Sequence, residues 1–200
     1  MKAGAGAAMR APFATGVVAQ AKKRESAMSR DSRPLGPIVS SSHLASSKMP
    51  ALSELEFALT MANNAFSRWI VRCAAAAGAA GLTPLEVLVL HSVTHRDRPK
   101  TLADLCLVLN VEDTHLVTYA VKKLEKTGLV EAGKRGKEKT IAVTRKGQEV
   151  CTRYGEVRAQ LLIESLRALG LDQGPVSELS DFLRALSGQY DQAARTAASL

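Results

Sequence analysis

Thr101-Leu-Ala-Asp-Leu-Cys-Leu-Val-Leu-Asn110-Val-Glu-Asp-Thr-His-Leu-Val-Thr-Tyr-Ala120-Val-Lys-Lys-Leu-Glu-Lys-Thr-Gly-Leu-Val130 decides the fold. Thr101 followed three residues later by Asp104 is a capping box, so a helix opens at Leu102 with Leu102, Leu105, Cys106 and Leu109 on its buried face. Asn110 to Asp113 is a short turn, with Asn110 suited to the left-handed conformation. Asp113 then caps a second helix, 113–127, whose apolar positions are Val117, Ala120, Val121 and Leu124. Gly128 stops it. Two helices joined by so short a turn form a helix-turn-helix, and its second helix is the one shaped to enter a major groove. Burying the apolar set turns Thr114, His115, Thr118, Tyr119 and Lys122 outward. All five can make hydrogen bonds, and none is acidic, as a helix that reads base edges requires.

Downstream, Leu129 to Ala132 reads as a strand, Gly133 to Glu138 as a charged turn and Lys139 to Val143 as the returning strand. Gly133-Lys134-Arg135-Gly136-Lys137-Glu138-Lys139 places four cations and one acid, Glu138, on a tight turn. A cationic loop next to an inserted helix suits phosphates or the adjacent minor groove. The predicted DNA-binding residues are therefore Thr114, His115, Thr118, Tyr119, Lys122, Lys134, Arg135 and Lys137. Lys123 and Lys126 read as solvated edge.

Upstream, Leu55, Leu59, Ala62, Phe66, Trp69, Ile70 and Cys73 recur at three and four, predicting an amphipathic helix from about Ser53 that Gly78 and Gly81 end. Thr83-Pro84-Leu85-Glu86 is a second capping box with proline in the first turn, and its helix runs down by Asp97-Arg98-Pro99. After Thr144 a helix reaches about Leu169, Leu171 to Pro175 form a loop, and a last helix spans 175–197 with Val176, Leu179, Phe182, Leu183, Leu186 and Tyr190 apolar. The chain reads as mainly α with a small β-hairpin and has no internal repeat.

The 200 residues carry a formal net charge of +8. Residues 94–146 hold twelve Lys and Arg against seven Asp and Glu, so the helix-turn-helix and hairpin form a basic middle that points to an anionic partner. Residues 1–50 hold eight against two, with Pro34-Leu35-Gly36-Pro37 and Ser40-Ser41-Ser42, and read as a flexible basic arm. Met1 to Arg30 shares the composition of a transit peptide, and Ala11–Ala21 ends like a signal-peptidase site. Thr15 and Gly16 interrupt its apolar core, however, and Lys22-Lys23-Arg24 follows at once, which favours the arm. Three cysteines, Cys73, Cys106 and Cys151, have neither disulfide nor metal spacing and read as buried thiols in a reducing, cytoplasmic setting. His91 and His95 stand four apart, a zinc-compatible spacing, but lack a third ligand nearby. No metal and no cofactor is called. Trp69 and Phe66 could line an effector pocket; as core residues they need none. With no phosphate loop, nucleophile elbow or paired carboxylates, the chain does not read as an enzyme.

Thr101-Leu-Ala-Asp-Leu-Cys, Leu109-Asn-Val, Val121-Lys-Lys-Leu-Glu-Lys-Thr-Gly-Leu-Val130 and Thr144-Arg-Lys-Gly147 together resemble the MarR family of winged-helix transcription regulators. The resemblance spans about 52–170 and is densest over 101–147. It implies a DNA-binding domain 51–170 with recognition helix 113–127 and wing 129–143; the basic arm 1–50 and the C-terminal helix 171–200, read as a dimerisation helix, exceed the family's minimal pattern. It further implies a homodimer on pseudo-palindromic double-stranded DNA with half-sites about one helical turn apart; whether a small-molecule effector acts on it, the sequence leaves open. The wing departs from the family's Asp-x-Arg pattern, leaving Lys134, Arg135 and Lys137 as substitutes. The competing function is a winged helix that docks on protein without reading DNA.

Overall fold

A computed structural model describes residues 38–39, 42–46 and 48–200. All but the last residues of the 1–50 arm lie outside these. By internal contacts the chain divides between Met61 and Ala62. In the first unit a short helix, α1 (Ser42–Ala45), precedes α2 (Pro50–Ala76), which begins there and continues into the second unit. The buried Ser53 hydroxyl donates to the Leu44 carbonyl at 3.2 Å, fixing that corner. Helix α2 starts three residues before the expected Ser53, at a proline that fits a first helical turn.

In the second unit, α3 (Pro84–Thr94), α4 (Leu102–Leu109) and α5 (Thr114–Lys126) are followed by β1 (Val130–Arg135), β2 (Glu138–Val143) and α6 (Arg145–Arg158). One π turn, Ala159–Ile163, carries α6 into α7 (Glu164–Ala168), and α8 (Gln173–Ala197) closes the chain. Both capping boxes are present. The Thr83 N–H donates to Glu86 Oε2 at 2.7 Å and the Thr101 N–H to Asp104 Oδ2 at 2.9 Å. These satisfy amides that a helix start leaves without intrahelical partners. Asn110 adopts φ 51° at the end of α4, as the tight turn requires.

The core joins Ile70, Cys73 and Ala74 of α2 to Val87, Val89, Leu90 and Val93 of α3, Leu105 of α4, and Val117, Ala120, Val121 and Leu124 of α5. The α5 set is the one its spacing predicts. On α4 only Leu105 is fully buried, while Leu102, Cys106 and Leu109 pack at its edge. Burying a Leu or Val side chain stabilises by roughly 1.5–3 kcal/mol, so these residues fix how α5 sits.

Three expectations change. The hairpin strands run further than the sequence suggests: Gly133 pairs with Thr140, Lys134 with Lys139 and Arg135 with Glu138. The turn is therefore only Gly136-Lys137, with Gly136 at φ 64°, rather than the whole of Gly133–Glu138. Lys100 adds a rung at the base, its N–H reaching the Ile141 carbonyl at 2.9 Å and its carbonyl accepting from the Ile141 N–H at 2.7 Å. The loop expected over Leu171–Pro175 lies earlier, because α8 begins at Gln173 and takes Pro175 into its first turn, where a missing N–H costs no hydrogen bond. Among the described residues no helix is long and apolar enough to cross a membrane.

Candidate nucleic-acid interface

The motif Thr144-Arg-Lys-Gly147 positions the C-terminal end of α5. Thr144 caps α6 by accepting the Gly147 N–H at 3.1 Å, and its hydroxyl donates to the Gly128 carbonyl at 2.7 Å. The Lys146 ammonium donates to the Thr127 carbonyl at 2.8 Å. Gly147 lies so close to Leu129 that a Cβ there would fall on its carbonyl oxygen and within 2.8 Å of Val143 Cγ2. The carbonyls that α5 and its stop residue leave open are thus taken by one short segment.

Lys123 holds the other side. It does not solvate an edge: its ammonium lies 2.9 Å from Glu86 Oε2 and donates to the Gly81 carbonyl at 2.7 Å. Glu86 is buried and already serves the α3 capping box, so this lysine neutralises a carboxylate that cannot reach water freely. Lys123→Met is expected to lower stability by about 1 kcal/mol, the partial exposure of Lys123 holding the figure down; a urea midpoint at unchanged m-value checks it.

With both flanks fixed, the outward face of α5 is defined. Thr114, His115 and Tyr119 are exposed, as is Lys122, while Thr118 is half-buried and donates to the Thr114 carbonyl at 2.8 Å. Tyr119 is 68 % exposed, and the Lys122 ammonium rests 5.9 Å from its ring centroid. At about 100° per residue, His115, Tyr119 and Lys122 form one stripe opposite the buried set, with Thr114 and Thr118 on its wing side. Lys126, read from sequence as solvated edge, falls in that stripe too.

A cleft of about 490 Å³ lies between α5 and the wing. Thr118, Lys122 and Lys134 meet there over an apolar floor that includes Leu102, Val121, Ala132 and Ile141. Among the further lining residues that the sequence reading did not name as contacts, two are charged, Lys139 and Glu125. Lys139 was counted among the four cations of the wing turn but not named as a contact, since it also begins the returning strand. Arg135 and Lys137 lie outside the cleft toward the hairpin turn, and Arg135 pairs with Glu138 at 3.1 Å, which shares out its charge. Beneath the wing, the Asp104 carboxyl is held below its ordinary range by the Thr101 N–H.

The histidine pair does not converge on a metal. His91 turns onto α6, its Nδ1 lying 3.8 Å from Cys151 Sγ and its ring edge-on to Tyr154 at 4.4 Å between centroids. His95 is exposed in the turn that follows α3. Among the described residues no group of three or more His, Cys, Asp or Glu side chains is arranged to hold an ion. Cys73 is buried, and Cys106 and Cys151 are half-buried. Burial pushes the Cys73 and Cys151 thiols up and the Tyr154 phenol to about 12. Trp69 packs at the edge of the core, and Phe66 is half exposed.

Burial lowers the His91 imidazole below its ordinary value of 6.5. Below pH 6.5 the unfolded chain takes up a proton that the folded one refuses. The stability this residue contributes is therefore complete above 6.5 and is lost as the pH falls from there toward the folded value. His91→Leu is expected to flatten the stability profile just below pH 6.5, where one such group sets a slope of at most about 1.4 kcal/mol per pH unit. Urea midpoints across that range check this.

The family model for a winged helix DNA-binding domain matches residues 82–147. No curated protein matches the sequence significantly. Among solved structures, AbfR of Staphylococcus epidermidis aligns with a TM-score of 0.60 at 18% identity, over 76% of this chain and 99% of that one. The transcriptional regulator BldR from Sulfolobus solfataricus gives 0.57 at 22% identity, over 72% and 99%. A mutant MarR from E. coli, complexed with operator DNA, gives 0.56 at 21% identity, over 70% and 99%. Residues 82–147, with their capped helices, two-stranded wing and outward basic face, are therefore a winged helix DNA-binding domain, in a chain that has the fold of the MarR-family transcription regulators.

Proposed function

We propose that the chain is a cytoplasmic transcription regulator and not an enzyme, and that it works as a homodimer on pseudo-palindromic double-stranded DNA. Two copies present α5 to successive major grooves about one helical turn apart. His115 and Tyr119 face the base edges, Thr114 and Thr118 the adjoining strand, and Lys122, Lys134, Arg135 and Lys137 the backbone beside them. The observation that carries this reading is the outward stripe of α5, free of acid and rigidly seated by Lys123 on one flank and Thr144-Lys146 on the other. The domain limits follow it: 51–170 for DNA, 171–200 for dimerisation and 1–50 as an arm adding phosphate affinity. Helix α8 buries none of its residues within one copy and exposes Val176, Leu179 and Phe182, the apolar surface that a second copy covers. A small molecule that prefers one separation of the two recognition helices would act as effector.

Anisotropy titration against duplexes selected from a random pool tests the proposal. The enriched duplex is expected to bind about 10³-fold or more tighter than unselected DNA. Equal affinity for both removes the sequence-specific reading. A second reading, docking on protein, draws on one observation, the exposed Leu107 and Val108 of α4, at 81% and 70%. It predicts no enrichment in the same titration.

A further inference from the structure

Two ammonium groups stand on one rung of the wing. Lys134 of β1 is the register partner of Lys139 of β2, and both line the cleft that Lys122 enters from α5. Like charges directly opposite across an antiparallel pair destabilise it. The next rung, Arg135 with Glu138, is oppositely charged and closed by an ion pair at 3.1 Å. The Lys134–Lys139 rung has no such relief. Among the described residues the ion pairs are Lys123–Glu86, Arg135–Glu138, Arg145–Glu149 and Arg184–Asp181, and none involves Lys122, Lys134 or Lys139. Glu125 lines the same cleft without pairing any of the three, so cations remain in excess there.

We propose that Lys122, Lys134 and Lys139 together form a seat for one backbone phosphodiester of duplex DNA, with Lys139 as a contact in its own right. The inference rests on the DNA-binding reading and deepens it. Ammonium groups on flexible stems act as point charges without a preferred fork, which suits a phosphate better than a base edge. A charge placed between Lys134 and Lys139 removes the repulsion that the free wing carries. Val121 and Ile141 on the floor offer an apolar surface to the sugar beside that phosphate.

Lys139→Glu separates this role from a structural one. It turns the repulsive rung into an attractive one, so the thermal midpoint of the free protein is expected to rise, by roughly 1–4 °C. DNA affinity is expected to fall at the same time. Lys139→Ala is expected to bind about 10-fold more weakly, with the slope of log affinity against log salt shallower by about 0.9 for each seat lost. Wild-type affinity and slope in Lys139→Ala overturn the seat while leaving the DNA reading standing. So does a midpoint that falls in step with affinity in Lys139→Glu. A wild-type protein that ignores duplex DNA overturns the DNA reading itself.

Discussion

Lys122→Ala is expected to weaken binding to the selected duplex about 100-fold at fixed salt while leaving the fold intact. The side chain is exposed on α5, and alanine is the best helix former, so helical content and unfolding midpoint change little. What the variant loses is a charge-assisted hydrogen bond in each half-site. Such bonds are worth about 1.5–3 kcal/mol, so two of them at the lower end account for roughly two powers of ten. The loss has a second signature. Each phosphate contact contributes about 0.9 to the salt slope, so a dimer lacking both lysines binds with a slope shallower by nearly two. A base contact would leave the slope unchanged and relax the preferred sequence instead. Affinity measured at three salt concentrations distinguishes these outcomes, and an unchanged affinity removes Lys122 from the interface.

Gly147→Ala is expected to cost about 3 kcal/mol, the upper end of over-packing, and to lower the melting temperature by roughly 6–12 °C. The added methyl falls on the Leu129 carbonyl oxygen, which is backbone and cannot swing aside. Relief requires α6 to move away from the chain leaving α5, and the Thr144 and Lys146 hydrogen bonds to Gly128 and Thr127 resist that movement. The control is Gly155→Ala, also in α6, where a Cβ meets nothing within 4 Å. An alanine there is expected to stabilise by about 0.5–1 kcal/mol, since it removes backbone freedom from the unfolded chain and puts nothing in the way. Calorimetry on the two variants gives opposite signs if close packing at Leu129 is the cause. Equal signs would mean that the glycine matters for something other than space.

What the sequence made legible was local. Thr83 with Glu86 and Thr101 with Asp104 are three residues apart, and both boxes close as expected. Val117, Ala120, Val121 and Leu124 share a helical face whatever they pack against, so the outward stripe followed from period alone. The illegible parts depend on partners distant along the chain. Lys123 looked like a solvated lysine because Glu86 lies on another helix, and nothing near Lys100 announces a rung with Ile141. The wing failed for a different reason. Gly133-Lys-Arg-Gly136 has the composition of a turn, yet Gly133 serves as a strand residue opposite Thr140, where its missing Cβ leaves room for the threonine hydroxyl. Placing the turn too wide hid the Lys134–Lys139 rung. The π turn at Ala159–Ile163 contains neither proline nor glycine and has no marker in its own residues.

The seating of Thr144, Lys146 and Gly147 against Thr127, Gly128 and Leu129 makes α5 and α6 one stiff bracket. A swing of α6 cannot be absorbed in a hinge at this corner, because Thr144, Lys146 and Gly147 clasp the three consecutive residues Thr127, Gly128 and Leu129. The angle at which α5 would enter a groove is then geared to the direction in which α6 leaves the domain, and a small tilt of the long arm turns the short one with it.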